Sequence, residues 1–158
     1  MTDQAPNLQN HFLIAMPQLL DPNFSGTITY LCEHNEHGAM GIVINRPTEL
    51  SLQDILEQLE IPLKSDDQIL YAGGPVQLER GFVLHTDQRE WQSSMNITPQ
   101  IRLTSSKDIL SAIANGEGPE QFLIALGYAG WGAGQLEQEL ADNAWLTCRA
   151  NQEVMFNT

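Results

Sequence analysis

The chain has 158 residues, enough for one domain with a self-sufficient core. Twenty acidic side chains against seven lysines and arginines leave a net charge of −13, which argues against unaided binding to DNA or an anionic membrane, where Lys and Arg supply the affinity. Cys32 and Cys148 stand far apart with no Cys-x-x-Cys, so neither a zinc ligand set nor a disulfide framework is written here.

Residues 1–10 contain no lysine or arginine and the first apolar stretch, Phe12–Met16, spans five residues, too few for a secretory leader. No run approaches the ~18 apolar residues of a membrane helix, so a cytoplasmic protein is expected. Residues 1–10 and 152–158 are polar and read as loosely ordered ends.

Between them, strand-length apolar runs alternate with turn signals. His11–Met16 reads as a strand, and Asp21-Pro22-Asn23 as a turn. Thr27–His34 follows with period two, Ile28, Tyr30 and Cys32 sharing one face. The Asn35–Gly38 segment predicts a hairpin loop and Ala39–Asn45 the returning strand, ended by Arg46-Pro47. Ser51 with Asp54 three residues on predicts a capped helix over Ser51–Leu59.

Strands are predicted at Gln68–Ala72 and Gly81–His85, flanking the Gly73-Gly74-Pro75 turn, and at Ile97–Leu103, where Pro99 demotes the segment to an edge. A helix begins near Ser105 or Ser106 and stops at Asn115-Gly116. Phe122–Leu126 is a buried strand, followed by a glycine-rich loop, a helix over Gly134–Ala141 and a strand over Ala144–Thr147. Hairpins outnumber β-α-β crossovers, which makes the fold class α+β in a single domain.

Chemistry-bearing residues are few. Cys32 and His34 are the candidate catalytic pair, since two residues apart on a strand they share a face, about 6.5 Å from each other. The plainer reading continues the apolar face of Ile28 and Tyr30 through Cys32. Asn45 and Arg46, at the end of a buried strand, and Arg80, beside a turn, are candidate anion contacts through the planar guanidinium. Gly127–Gly134 carries four glycines around Tyr128 and Trp131, which makes Gly130, Trp131 and Gly132 candidate ligand contacts at a helix start. The spacing matches neither G-x-G-x-x-G nor a P-loop, and the four histidines form no metal-ligand set. No cofactor and no metal are expected.

These segments resemble the AlgH/YqgE family of bacterial proteins. The resemblance is carried by Asp21-Pro22-Asn23-Phe24, Leu31-Cys32-Glu33-His34-Asn35, Gly38-Ala39-Met40-Gly41-Ile42-Val43-Ile44-Asn45-Arg46-Pro47, Gly73-Gly74-Pro75-Val76, Arg80-Gly81-Phe82-Val83-Leu84-His85 and Gly127–Glu137. It spans about Leu13–Leu146. It implies a barrel-like, partly bifurcated, mainly antiparallel sheet surrounded by short helices, and a cytosolic protein labelled a transcriptional regulator without an established activity.

Two classes of function follow. The first is a regulatory module that acts on transcription indirectly, through a protein partner or a small anionic ligand and without touching nucleic acid or membrane. The alternative is an enzyme acting on a small anionic metabolite in a pocket built from Cys32, His34 and Arg46.

Overall fold

In the computed structural model, which describes residues 8–16, 26–86, 91–105 and 107–157, one strand organises the architecture. Strand β9 (Phe122–Gly132) is eleven residues long. Along one edge it pairs antiparallel with β6 (Val76–His85). Along the other it pairs first in parallel with β5 (Ile69–Ala72), then antiparallel with β3 (Gly38–Val43). The sheet therefore forks at β9.

The change of partner falls beside Gly127, which has φ +76°. That left-handed conformation costs an L side chain energy and costs glycine none. The fork is filled by the Gly73-Gly74-Pro75 turn. Gly73 N–H donates to Leu126 O at 2.7 Å, and Gly73 O accepts from Val43 N–H at 2.8 Å. The turn thus ties the end of β3 to β9 by main-chain bonds.

From the fork, one arm runs through β3 to β2 (Ile28–Asn35), β1 (His11–Ala15) and β10 (Trp145–Arg149). The other runs through β6 to β8 (Arg102–Thr104) and β7 (Ser94–Asn96), while β4 (Pro47–Ser51) pairs with β5. The whole is a curled, mainly antiparallel half-barrel with a few short helices, as the α+β expectation required.

Alternation along β6 and β9 divides the core. Phe82, Leu84, Leu123 and Ala125 face one cluster with Tyr30, Cys32 and Ile42. Val83 and Ile124 face the opposite cluster, beneath α1 (Leu52–Gln58) and α2 (Lys107–Ala114). A third cluster, with Leu13, Leu31 and Trp131, is covered by Leu136 of α3 (Gln135–Ala141). The Ser51–Asp54 capping box opens α1 as its spacing predicts, with Asp54 accepting from Ser51 N–H at 2.8 Å. On the α2 side, a polar ladder crosses three strands: His85 to Thr104 at 2.6 Å and Thr104 to Ser94 at 2.8 Å. It keeps a buried imidazole hydrogen-bonded.

Three expectations are corrected and one strand is added. The glycine-rich stretch after Leu126 is strand rather than loop, because its amides complete the ladder to β3. Ile97–Leu103 is not one strand. β7 and β8 are joined by a turn in which Ile97 and Thr98 N–H donate to Ile101 O, and Pro99 lies within that turn. Pro47 opens β4 as well as following β3, a first-residue position where its missing N–H costs little. The C-terminal segment is ordered: α4 (Gln152–Asn157) docks Met155, 1% exposed, into the first cluster. The Asp21-Pro22-Asn23 turn lies outside the described residues.

Candidate functional site

The groove with the most distinctive chemistry lies on the inner face of the fork, between β3, β6, β9 and the β7–β8 arm. It encloses about 820 Å³. Its walls are Met40, Phe82, Met95 and Tyr128, with Gly130 and Trp131 at one end. Phe82 and Tyr128 meet edge to face at 5.8 Å between ring centroids, the arrangement that the ring quadrupoles favour.

Arg80 supplies the charge. β8 pairs with β6 only at Val83–His85, so Arg80 lies past the end of that ladder. The β6–β9 register shifts between Val76 and Gly81, and Gln77 there has φ +50°. The Arg80 guanidinium carbon sits 5.2 Å from the Phe82 ring centroid. Its Nη2 donates to Ser105 Oγ at 3.0 Å and its Nη1 to Gln77 Oε1 at 3.4 Å. Among the described residues no carboxylate pairs with Arg80. A guanidinium has five N–H donors, so capacity remains for an anion. An aromatic wall beside an oriented cation suits a small anion with an apolar body.

Cys32 and His34 are not brought together. The β2–β3 register slips between Leu31 and Glu33, so Cys32 is the extra residue of a bulge. The slip turns His34 to the side of Leu31 instead of the side of Cys32. Cys32 is fully buried among Tyr30 and Ile42, its Sγ donating to Tyr30 O at 3.8 Å. Burial, and secondarily the charge of Glu33, push its thiol well above the usual range. A thiol-specific reagent applied to native protein is therefore expected to modify exposed Cys148 alone. Intact mass should show one adduct before denaturation and two after. Fast labelling of Cys32 in folded protein contradicts this.

His34 is a structural clamp. Leu8 N–H donates to its Nδ1 at 2.9 Å, which assigns the proton to Nε2, and Nε2 donates to Glu137 Oε2 at 2.9 Å. The first bond ties the N-terminal segment to β2 and the second ties α3. That His34 bond, reinforced by the helix's own backbone, holds the Glu137 carboxyl below its ordinary value. A depressed carboxyl stabilises the fold above its unfolded pKa, about 4.3, and the contribution fades as pH falls through the folded value. Wild type is thus expected to lose its stability margin over Glu137→Gln between about pH 5 and pH 3, followed by thermal melts across that range. A margin unchanged at pH 3 contradicts this.

Asn45 is also occupied by structure: its Oδ1 accepts from Ile28 N–H at 2.8 Å and its Nδ2 donates to Gly26 O at 3.1 Å. Arg46 follows the far end of β3, whereas His34 pairs with Ala39 near its start. Gly132 N–H donates to Gln135 Oε1 at 3.0 Å. Of the candidates named from sequence, only Arg80, Gly130 and Trp131 line the groove.

The AlgH-like family model (DUF179) matches residues 12–158. The chain belongs to the AlgH-like family. A UPF0301 protein of Hahella chejuensis is 57% identical over all of this chain and 85% of its own length. A UPF0301 protein of Pseudomonas putida is 59% identical over 99% of this chain and 85% of its own. The solution structure of the AlgH protein from Pseudomonas aeruginosa superposes with TM-score 0.86 at 53% identity, covering 99% and 85% of the two chains. A crystal structure from Corynebacterium diphtheriae, at 19% identity and TM-score 0.74, over 98% of this chain and 82% of its own, shares the fold.

Sequence reasoning about this AlgH-like chain missed Phe82, Met40, Met95 and Tyr128 as walls. Each sits in an apolar alternation that reads as core. The available signal is the Arg80-x-Phe82 spacing, which puts a cation and a ring on one face of a strand. Among the described residues no helix is long and apolar enough to cross a membrane.

Proposed function

We propose that this AlgH-like chain is a cytoplasmic regulatory module that binds a small anion with an apolar body at Arg80 and acts on transcription indirectly, through a protein partner. The observation that carries this reading is the Arg80 guanidinium. In a chain with 20 acidic residues it stacks on Phe82, is oriented by Ser105 and Gln77, and meets no carboxylate among the described residues. An overall charge of −13 disfavours nucleic acid as the ligand.

The test is native mass spectrometry of freshly purified protein for a co-purifying anion, followed by titration calorimetry with phenyl phosphate as probe. Arg80→Ala is expected to weaken phenyl phosphate binding at least about tenfold, the loss of one charge-assisted hydrogen bond. Its unliganded Tm should stay within about 2 °C of wild type, since the side chain is exposed. Equal affinity in the two proteins, or a specific nanomolar complex with duplex DNA at physiological salt, overturns the reading.

A further inference from the structure

We infer that the anion taken at Arg80 carries an unbranched aliphatic chain, and that this chain lies in a second groove between α1 and α2. The inference rests on the reading of Arg80 as an anion contact, adds the class of the ligand, and seats its apolar body in this second groove rather than against the Phe82–Tyr128 wall.

The second groove encloses about 470 Å³ on the opposite face of β6 and β9, within the size range of small-molecule sites. Its apolar lining includes Leu50, Ile55, Leu59, Leu78, Leu110 and Leu126. Arg80 and Ser105 line both grooves, so the two spaces meet at the hydrogen bond between those side chains. Lys107 stands on the same rim. Two of the chain's seven lysines and arginines thus border one apolar slot. The acid lining it, Asp54, is held by the capping box at Ser51. Charge at one end and hydrocarbon along the length are complementary to a single-chain carboxylate.

Two further observations point to an occupant. Leu50 and Leu78, 47% and 59% exposed, stand at this groove, and they are two of the four large apolar side chains left open among the described residues. The floor is Gly81, opposite Leu126 in the β6–β9 register. A Cβ at Gly81 would meet nothing within 4 Å, and the residue has no positive φ that demands glycine. Its missing side chain serves to leave the floor of the slot open.

The experiment is titration calorimetry of butanoate, octanoate and dodecanoate, kept below micelle formation, against wild type, Gly81→Leu and Arg80→Ala. For wild type, affinity should rise about threefold to fourfold per methylene over the buried part of the chain. Gly81→Leu, whose side chain enters open space, should keep its Tm but lose the dependence on chain length. Should Gly81→Leu fold poorly, Leu78→Gln at the exposed mouth is expected to flatten the same series partway.

A wild-type series with no chain-length dependence, or a Gly81→Leu series as steep as wild type, overturns the inference. Phenyl phosphate binding that depends on Arg80 would still stand in that case, so the two readings fail separately. Binding to phosphatidylglycerol vesicles without binding to monomeric dodecanoate also overturns it, as does capture of an acidic amphipathic peptide that dodecanoate does not displace.

Discussion

Gly74→Ala is expected to lower the melting temperature by about 8–16 °C. Gly74 has φ +153°, and a Cβ there would lie 2.1 Å from Tyr128 C and 2.3 Å from Tyr128 O. These are main-chain atoms of the organising strand, so no rotamer change relieves the overlap. The turn must withdraw from the fork, and Gly73 then loses its bonds to β9 and β3. Conformational strain of about 1–3 kcal/mol combines with main-chain bonds worth about 1 kcal/mol each. A total near 4 kcal/mol lowers Tm by about 8–16 °C in a chain of this size. Circular dichroism melts of wild type and Gly74→Ala check this. A loss below about 3 °C would mean the turn is free to shift, contrary to the geometry described.

Glu139→Leu is expected to be nearly as damaging, by a different cause. One carboxylate oxygen, Glu139 Oε1, accepts from two indoles: Trp131 Nε1–H at 3.0 Å and Trp145 Nε1–H at 2.8 Å. The rings stand edge to face at 6.0 Å and are 6% and 5% exposed. Leucine removes the acceptor that both buried donors use, at about 1–3 kcal/mol per donor. The joint between α3, β9 and β10 is lost with it. Glu139→Gln keeps an amide oxygen in place and should recover most of the stability. Tryptophan emission and Tm measured on both variants separate the effects. Equal loss in Leu and Gln would point to the charge rather than the shared acceptor.

The strands of the fold were legible from their period of two, as in β2, where Ile28 and Tyr30 alternate with Thr29 and Leu31, although both faces are buried, one in the first core cluster and the other against the third. The capping box of α1 was equally plain, because its chemistry is local. What stayed hidden depended on distant partners. Gly127–Gly132 reads as a loop until β3 supplies ladder bonds from some ninety residues away. The bulge at Cys32 was hidden for another reason: it is a register property of a hairpin's two strands, and it turns His34 away from the thiol.

For the site, Arg80, Gly130 and Trp131 were found because charge and glycine are conspicuous in an acidic chain. Asn45 was conspicuous too, but its amide spans a turn, and the sequence does not distinguish a polar group held by backbone from one facing solvent. Gly81 stood inside a motif without a reason. Its reason is empty space, which no sequence pattern encodes.

The forked strand also fixes when this protein can fold. β3 finds its edge partner only in Ala129–Gly132, which leave the ribosome about ninety residues later. At about 5–20 residues per second the wait is about 5–20 s. Until then the apolar edge of Ala39–Gly41 stays open on the nascent chain, the kind of unpaired edge that templates association with other chains. A ribosome stalled before Phe122 therefore holds an arm of sheet without its central strand, and closure waits for β9 to emerge.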